Sequence, residues 1–168
     1  MPKKWLPAGT AIVVTITVSV FLFFTLSTPC LILKDGKTGE MIAAFPVDDG
    51  TEFSVTFIHS VNQTPVTDVY QIKNGRIYVI RTVYYSFGAG VQSEIGEGQS
   101  LAYGRDGAMI VSGFNRPMNY LSYIVGTVSD HTLQIGGEVV SLRELCGRNR
   151  TVRFGCGRRP IPFLTRSK

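Results

Sequence analysis

Two hydrophobic patterns divide this chain. From Ala8 to Thr28 runs an uncharged stretch rich in Ile, Val, Phe and Leu; beyond it, short runs of Val, Ile, Phe, Tyr and Thr alternate with clusters of Gly, Asp and Asn. A spanning helix needs roughly 20 predominantly apolar residues. The first stretch offers 21, with Lys3 and Lys4 before it and Pro29 after it. The paired lysines favour a cytoplasmic N-terminus. A cleaved signal peptide would carry an apolar stretch of about 7 to 15 residues ending in a small-x-small site. This run is longer, so residues 8–28 read as an uncleaved signal-anchor helix lying in the lipid bilayer. Cys30 invites a lipoprotein reading, against which Pro29 stands directly before it.

The second pattern has the two-residue period of strands. It predicts strands over 31–34, 40–45, 52–59, 67–73, 76–84, 108–114, 120–125, 132–135, 139–142 and 151–154. Turn signals separate them at Lys34-Asp35-Gly36, Asp48-Asp49-Gly50, Asn74-Gly75, Arg105-Asp106-Gly107 and Gly136-Gly137. Such residues tolerate positive φ and close hairpins. The predicted fold is therefore mainly β, an antiparallel sandwich or barrel after one N-terminal helix. Residues 86–104 depart from the pattern as a long glycine-bearing loop. Its start, Ser86, Phe87, Gly88, Ala89 and Gly90, is a candidate partner-contact surface, because glycines let a backbone approach another surface closely.

Length and charge sharpen this outline. With 168 residues, 44% hydrophobic and 17% charged, the chain supports one core. The expected organisation is a cytoplasmic N-terminus over 1–7, the anchor over 8–28, an extracytoplasmic β domain over 30–156 and a basic tail over 157–168. That order places the chain in the cytoplasmic (inner) membrane as a single-pass protein with its C-terminal domain outside. Residues 30–142 carry 7 basic and 11 acidic side chains, net −4, whereas 143–168 carry 8 basic and 1 acidic, net +7. The basic character belongs to the tail, and with no nucleic-acid fold motif the pattern argues against nucleic-acid binding.

The most informative chemistry lies in residues 53–72. If residues 60–65 form the loop of a hairpin, His59 pairs with Val66, and one face collects Phe53, Val55, Phe57, His59, Val66, Asp68, Tyr70 and Ile72. His59 and Asp68 then fall on the apolar face as diagonal neighbours, within reach of an imidazole-to-carboxylate hydrogen bond. The structural reading is a pair in which each satisfies the other. The functional reading adds His131, the other histidine, to make a small-ligand or metal site, although the spacing matches no zinc pattern. Ser60 points to the opposite face and no Gly-x-Ser-x-Gly elbow exists, so no catalytic constellation is found and the chain reads as a non-enzyme. The glycines at 88–90 and 96–98 complete no phosphate loop, and no cofactor is implied. Cys146 and Cys156 flank an arginine- and glycine-rich segment; a disulfide between them and a pair of free thiols both remain open.

The segment Phe57-Ile58-His59-Ser60-Val61-Asn62-Gln63-Thr64-Pro65-Val66, followed by Asp68 and Tyr70, resembles the signature of the prokaryotic family known as domain of unknown function 1850. The likeness continues in Ser86-Phe87-Gly88-Ala89-Gly90 and Asp130-His131-Thr132-Leu133 and spans most of residues 30–154. Asn62 stands where an acidic residue is commonest, and Val91-Gln92 where Leu-Pro usually follows. Genes of that family tend to lie beside TRAP transporters of the TAXI type. The resemblance therefore implies an accessory role in solute uptake, with the permease or its solute-binding protein as partner. It implies no reaction.

Overall fold

The computed structural model describes residues 8–86 and 94–160. They form helix α1 (Ala8–Leu26), strands β1 (Ser27–Asp35), β2 (Met41–Pro46), β3 (Glu52–Ile58), β4 (Pro65–Lys73), β5 (Arg76–Tyr84), β6 (Ser100–Tyr103), β7 (Met109–Pro117), β8 (Leu121–Ile124), β9 (His131–Ile135) and β10 (Glu138–Ser141), a short helix α2 (Leu142–Cys146), and β11 (Thr151–Pro160). The strands make two sheets, one ordered β2-β1-β11-β8 and the other β10-β9-β3-β4-β5-β7-β6. Every pairing among the described residues is antiparallel. Of the two forms the sequence left open, the described residues form no closed barrel.

Alternation builds the core. Along β3, Phe53 and Val55 are buried while Ser54 and Thr56 are not. Leu31, Leu33 and Phe154 of the smaller sheet join Phe53, Val55, Tyr70 and Leu133 of the larger one in a single cluster. Each such side chain taken from water contributes about 1.5–3 kcal/mol. A second cluster of Val66, Tyr84, Met109 and Val111 lies at the other end of the larger sheet, and Phe114 packs against both. The two-residue turn Asn74-Gly75 joins β4 to β5, with φ of 50° and 68°. Two successive positive φ values are what a type I′ hairpin turn requires, and Asn-Gly supplies them at least strain.

Several expectations are corrected. The helix ends at Leu26, and Ser27 and Thr28 open β1 instead of completing a span. Among the described residues no helix is long and apolar enough to cross a membrane. The hydroxyls of Thr15, Thr17 and Thr25 are satisfied within α1, donating back to the carbonyls of Ala11, Val13 and Phe21, and Pro29 bars helical continuation. At the other end, Gly157 to Pro160, assigned from sequence to the tail, belong to β11 and pair with Cys30 to Ser27. Part of the expected loop over 86–104 is strand β6, paired with β7.

The Cys146–Cys156 bridge is absent: all three cysteines are free. Cys146 ends α2 with its thiol donating to the Leu142 carbonyl, and Cys156 sits inside β11 opposite Leu31. A strand rises about 3.4 Å per residue, so the five steps from Thr151 to Cys156 span roughly 17 Å. The residues between the cysteines therefore form no closed hairpin, since from Thr151 they run as one strand paired with β1 and β8. Burial pushes both thiols up, Cys146 to about 11, which makes them poor nucleophiles near neutrality.

Candidate functional site

Strand β4 lies between β3 and β5 and turns Val66, Asp68, Tyr70 and Ile72 toward the core side. The β3–β4 register runs Phe53↔Tyr70, Val55↔Asp68 and Phe57↔Val66. This is two residues away from the predicted pairing of His59 with Val66, and an even shift preserves every face assignment. His59 instead lies opposite Thr64: its N–H donates to the Thr64 carbonyl, and its carbonyl accepts from Gln63.

Asp68 is the polar centre of this face. On one neighbouring strand, Thr82 stands opposite it and donates from Oγ1 to Oδ1 at 2.8 Å. A register shift between Val69 and Tyr70 in the β4–β5 ladder brings Thr82 and Tyr84 onto the face that Ile77 and Val79 occupy further along β5. From the opposite sheet, Tyr123 on β8 donates its hydroxyl to Asp68 Oδ2 at 2.8 Å. The Tyr70 and Tyr123 hydroxyl oxygens are 2.6 Å apart. A phenol has one proton, and that of Tyr123 is given to Asp68, so Tyr70 donates to Tyr123. The result is a directed chain, Tyr70 to Tyr123 to Asp68, joining the two sheets. Burial, reinforced by the negative charge of Asp68, pushes the ionisation of both phenols well above the ordinary tyrosine range. Both remain neutral donors throughout the physiological range.

Aromatic rings surround this chain. Phe57 lies 6.0 Å from Tyr123 and stacks on His131, its register partner on β9, at 5.3 Å. Tyr123 meets His131 edge-on at 5.8 Å. Beside them opens a cavity of about 420 Å³ lined by Phe57, His59, Val66, Asp68, Tyr70, Val79, Thr82, Tyr84, Val111, Phe114, Arg116 and Met118. A second cleft of about 490 Å³ is bounded by Phe57, Ile58, His59, Ser60, Gln63, the 126–129 turn and His131.

The structure thus brings His59 together with Asp68 in one cavity and with His131 in another, without gathering all three. The expected His59–Asp68 hydrogen bond is replaced by the Thr82 and Tyr123 hydroxyls. The imidazole Nδ1 of His59 instead faces the backbone N–H groups of Val61 and Asn62, each at 3.4 Å. His131 Nδ1 accepts from the Gly126 N–H at 3.2 Å. Among the described residues no group of three His, Cys, Asp or Glu side chains could hold a metal ion. Of the candidate contact loop, Phe87, Gly88, Ala89 and Gly90 lie outside the described residues; Ser86 is described and hydrogen-bonds Thr64 through their hydroxyls. Sequence reasoning missed Tyr123, Thr82 and Arg116. Only Tyr123 carried a signal, since Leu121, Tyr123 and Val125 alternate along a predicted strand.

Two measurable consequences arise here. His59→Ala should change the unfolding free energy by less than about 1 kcal/mol, because the imidazole makes only long contacts to its own turn; urea unfolding reads this directly. His131 behaves differently, because burial lowers its pKa from 6.5, with Asp130 opposing and Arg143 assisting. The unfolded chain then takes up the proton first. Stability is therefore full above pH 6.5 and falls as the pH drops below it. Chemical unfolding between about pH 7.5 and about pH 5.5 should show this loss, and His131→Gln should remove that component.

The described residues thus define a two-sheet antiparallel β domain with a polar cluster joining its sheets beside an aromatic-walled cavity. The family model described as "Domain of unknown function (DUF1850)" matches residues 53–142, more than half of the chain, and the chain belongs to this family. No curated protein and no solved structure matches it.

Proposed function

We propose that this chain is a membrane-attached, extracytoplasmic accessory protein of a TAXI-type TRAP solute transporter, acting by protein–protein contact with the permease or its solute-binding protein. The transporter association comes from the family resemblance. The observation that carries the attachment is α1: nineteen residues without a charge, large apolar side chains such as Ile12, Val13 and Phe21 more than half exposed, running straight into β1. A contiguous apolar surface of that kind needs an apolar surrounding, either bilayer lipid or the helices of a permease. The missing linker would hold the β domain close to that surface. Removing residues 8–26 should release the chain from the membrane fraction while the β domain still unfolds cooperatively. Retention of the shortened chain in the membrane fraction would overturn the attachment.

A second reading, a small-ligand binding module, is favoured by the cavity of about 420 Å³ at Asp68. Its volume falls within the range of about 300–1,000 Å³ usual for ligand sites, and its mix of apolar walls with a few converging polar groups is theirs as well. The two readings are compatible, since an accessory protein can report ligand occupancy to its partner.

A further inference from the structure

We propose that the cavity at Asp68 binds a small zwitterion bearing an apolar side group, an α-amino acid by chemical class, with its ammonium at Asp68 and its carboxylate at Arg116. This rests on the second reading above, that the cavity takes a small ligand. Asp68 and Arg116 line the same cavity, and among the described residues neither has an ion-pair partner. The Asp68 carboxylate accepts from two neutral hydroxyls, those of Thr82 and Tyr123. These hold it in place without cancelling its charge, and a carboxylate retains further acceptor positions for an ammonium. The rings of Phe57, Tyr70 and Phe114 also line the cavity. Their apolar bodies favour an aliphatic or aromatic side group. Arg116 is exposed, on β7, where its planar fork suits a carboxylate arriving from solvent. A ligand with one charge would leave one of these two groups unanswered; a zwitterion answers both.

The test uses the full chain in detergent micelles, methyl-labelled for nuclear magnetic resonance, with Val66, Val79 and Val111 as reporters in the cavity wall. Three probes are titrated: L-leucine, isoamylamine, which is leucine without its carboxylate, and isocaproate, which is leucine without its ammonium. The proposal expects leucine to shift the reporters at a concentration at least about tenfold below either half-probe. It expects Arg116→Gln to bring leucine down to the level of isoamylamine, and Asp68→Asn to bring it toward isocaproate. Arg116→Gln alters an exposed side chain and keeps the test valid if Asp68→Asn fails to fold. Equal or tighter binding of a half-probe, or a leucine response indifferent to Arg116→Gln, overturns the zwitterion while leaving a ligand cavity in place. Silence of the reporters toward all three probes overturns both.

Discussion

Replacing Phe53 by alanine should cost about 4 kcal/mol of unfolding free energy, within the range of about 3–5 kcal/mol for removing a buried ring from a core. Phe53 is only 2% exposed and belongs to the larger sheet. It stacks on Tyr70 of its own sheet at 5.1 Å and on Phe154 of the other sheet at 6.1 Å, the latter pair within 4° of parallel. Alanine would leave a void between the sheets bounded by two rings that have lost their partner. Rigid strands on either side limit how far that void can collapse. Urea unfolding of Phe53→Ala against Phe53→Leu separates ring loss from simple burial, with the leucine variant expected to recover more than half of the deficit.

Asp68→Ala should cost about 3 kcal/mol, because it removes the acceptor of two half-buried donors at once and each hydrogen bond to a charged acceptor is worth about 1.5–3 kcal/mol. The stranded donors are the Tyr123 hydroxyl, arriving from the other sheet, and the Thr82 hydroxyl, arriving from the next strand. Tyr123→Phe should cost less, about 1 kcal/mol, since the Asp68 carboxylate keeps Thr82 and has access to solvent through the cavity. The double variant should cost less than the sum of the two, as expected of groups sharing one network. Strict additivity would mean that the Tyr123–Asp68 contact does not contribute to stability.

The fold was legible wherever one local rule acted alone. Asn74-Gly75 and Gly136-Gly137 announced two hairpins, and the period-two alternation of 53–57 assigned each side chain to its observed face. The register was not legible, because a shift of two residues leaves every face unchanged, so alternation cannot distinguish His59 opposite Val66 from His59 opposite Thr64. The partners of Asp68 were hidden for separate reasons. Thr82 reaches the inner face only through a ladder irregularity, which inverts the parity expected along β5. Tyr123 comes from the other sheet, 55 positions along the chain, and only sheet packing brings it there. The extent of β11 was missed because Gly155, Gly157, Arg158 and Arg159 look like a tail; pairing with β1 makes them strand. Composition alone overstated the first helix, since the stretch counted toward a span includes Ser27 and Thr28, which serve the sheet.

The accessory reading is tested most directly by affinity purification of the tagged full chain from detergent-solubilised membranes of its own host, with co-purifying proteins identified by mass spectrometry. Recovery of a TRAP permease or its solute-binding protein, lost when residues 8–26 are removed, is the expected result. A chain that purifies without either component, under conditions where the permease itself remains intact, would contradict it.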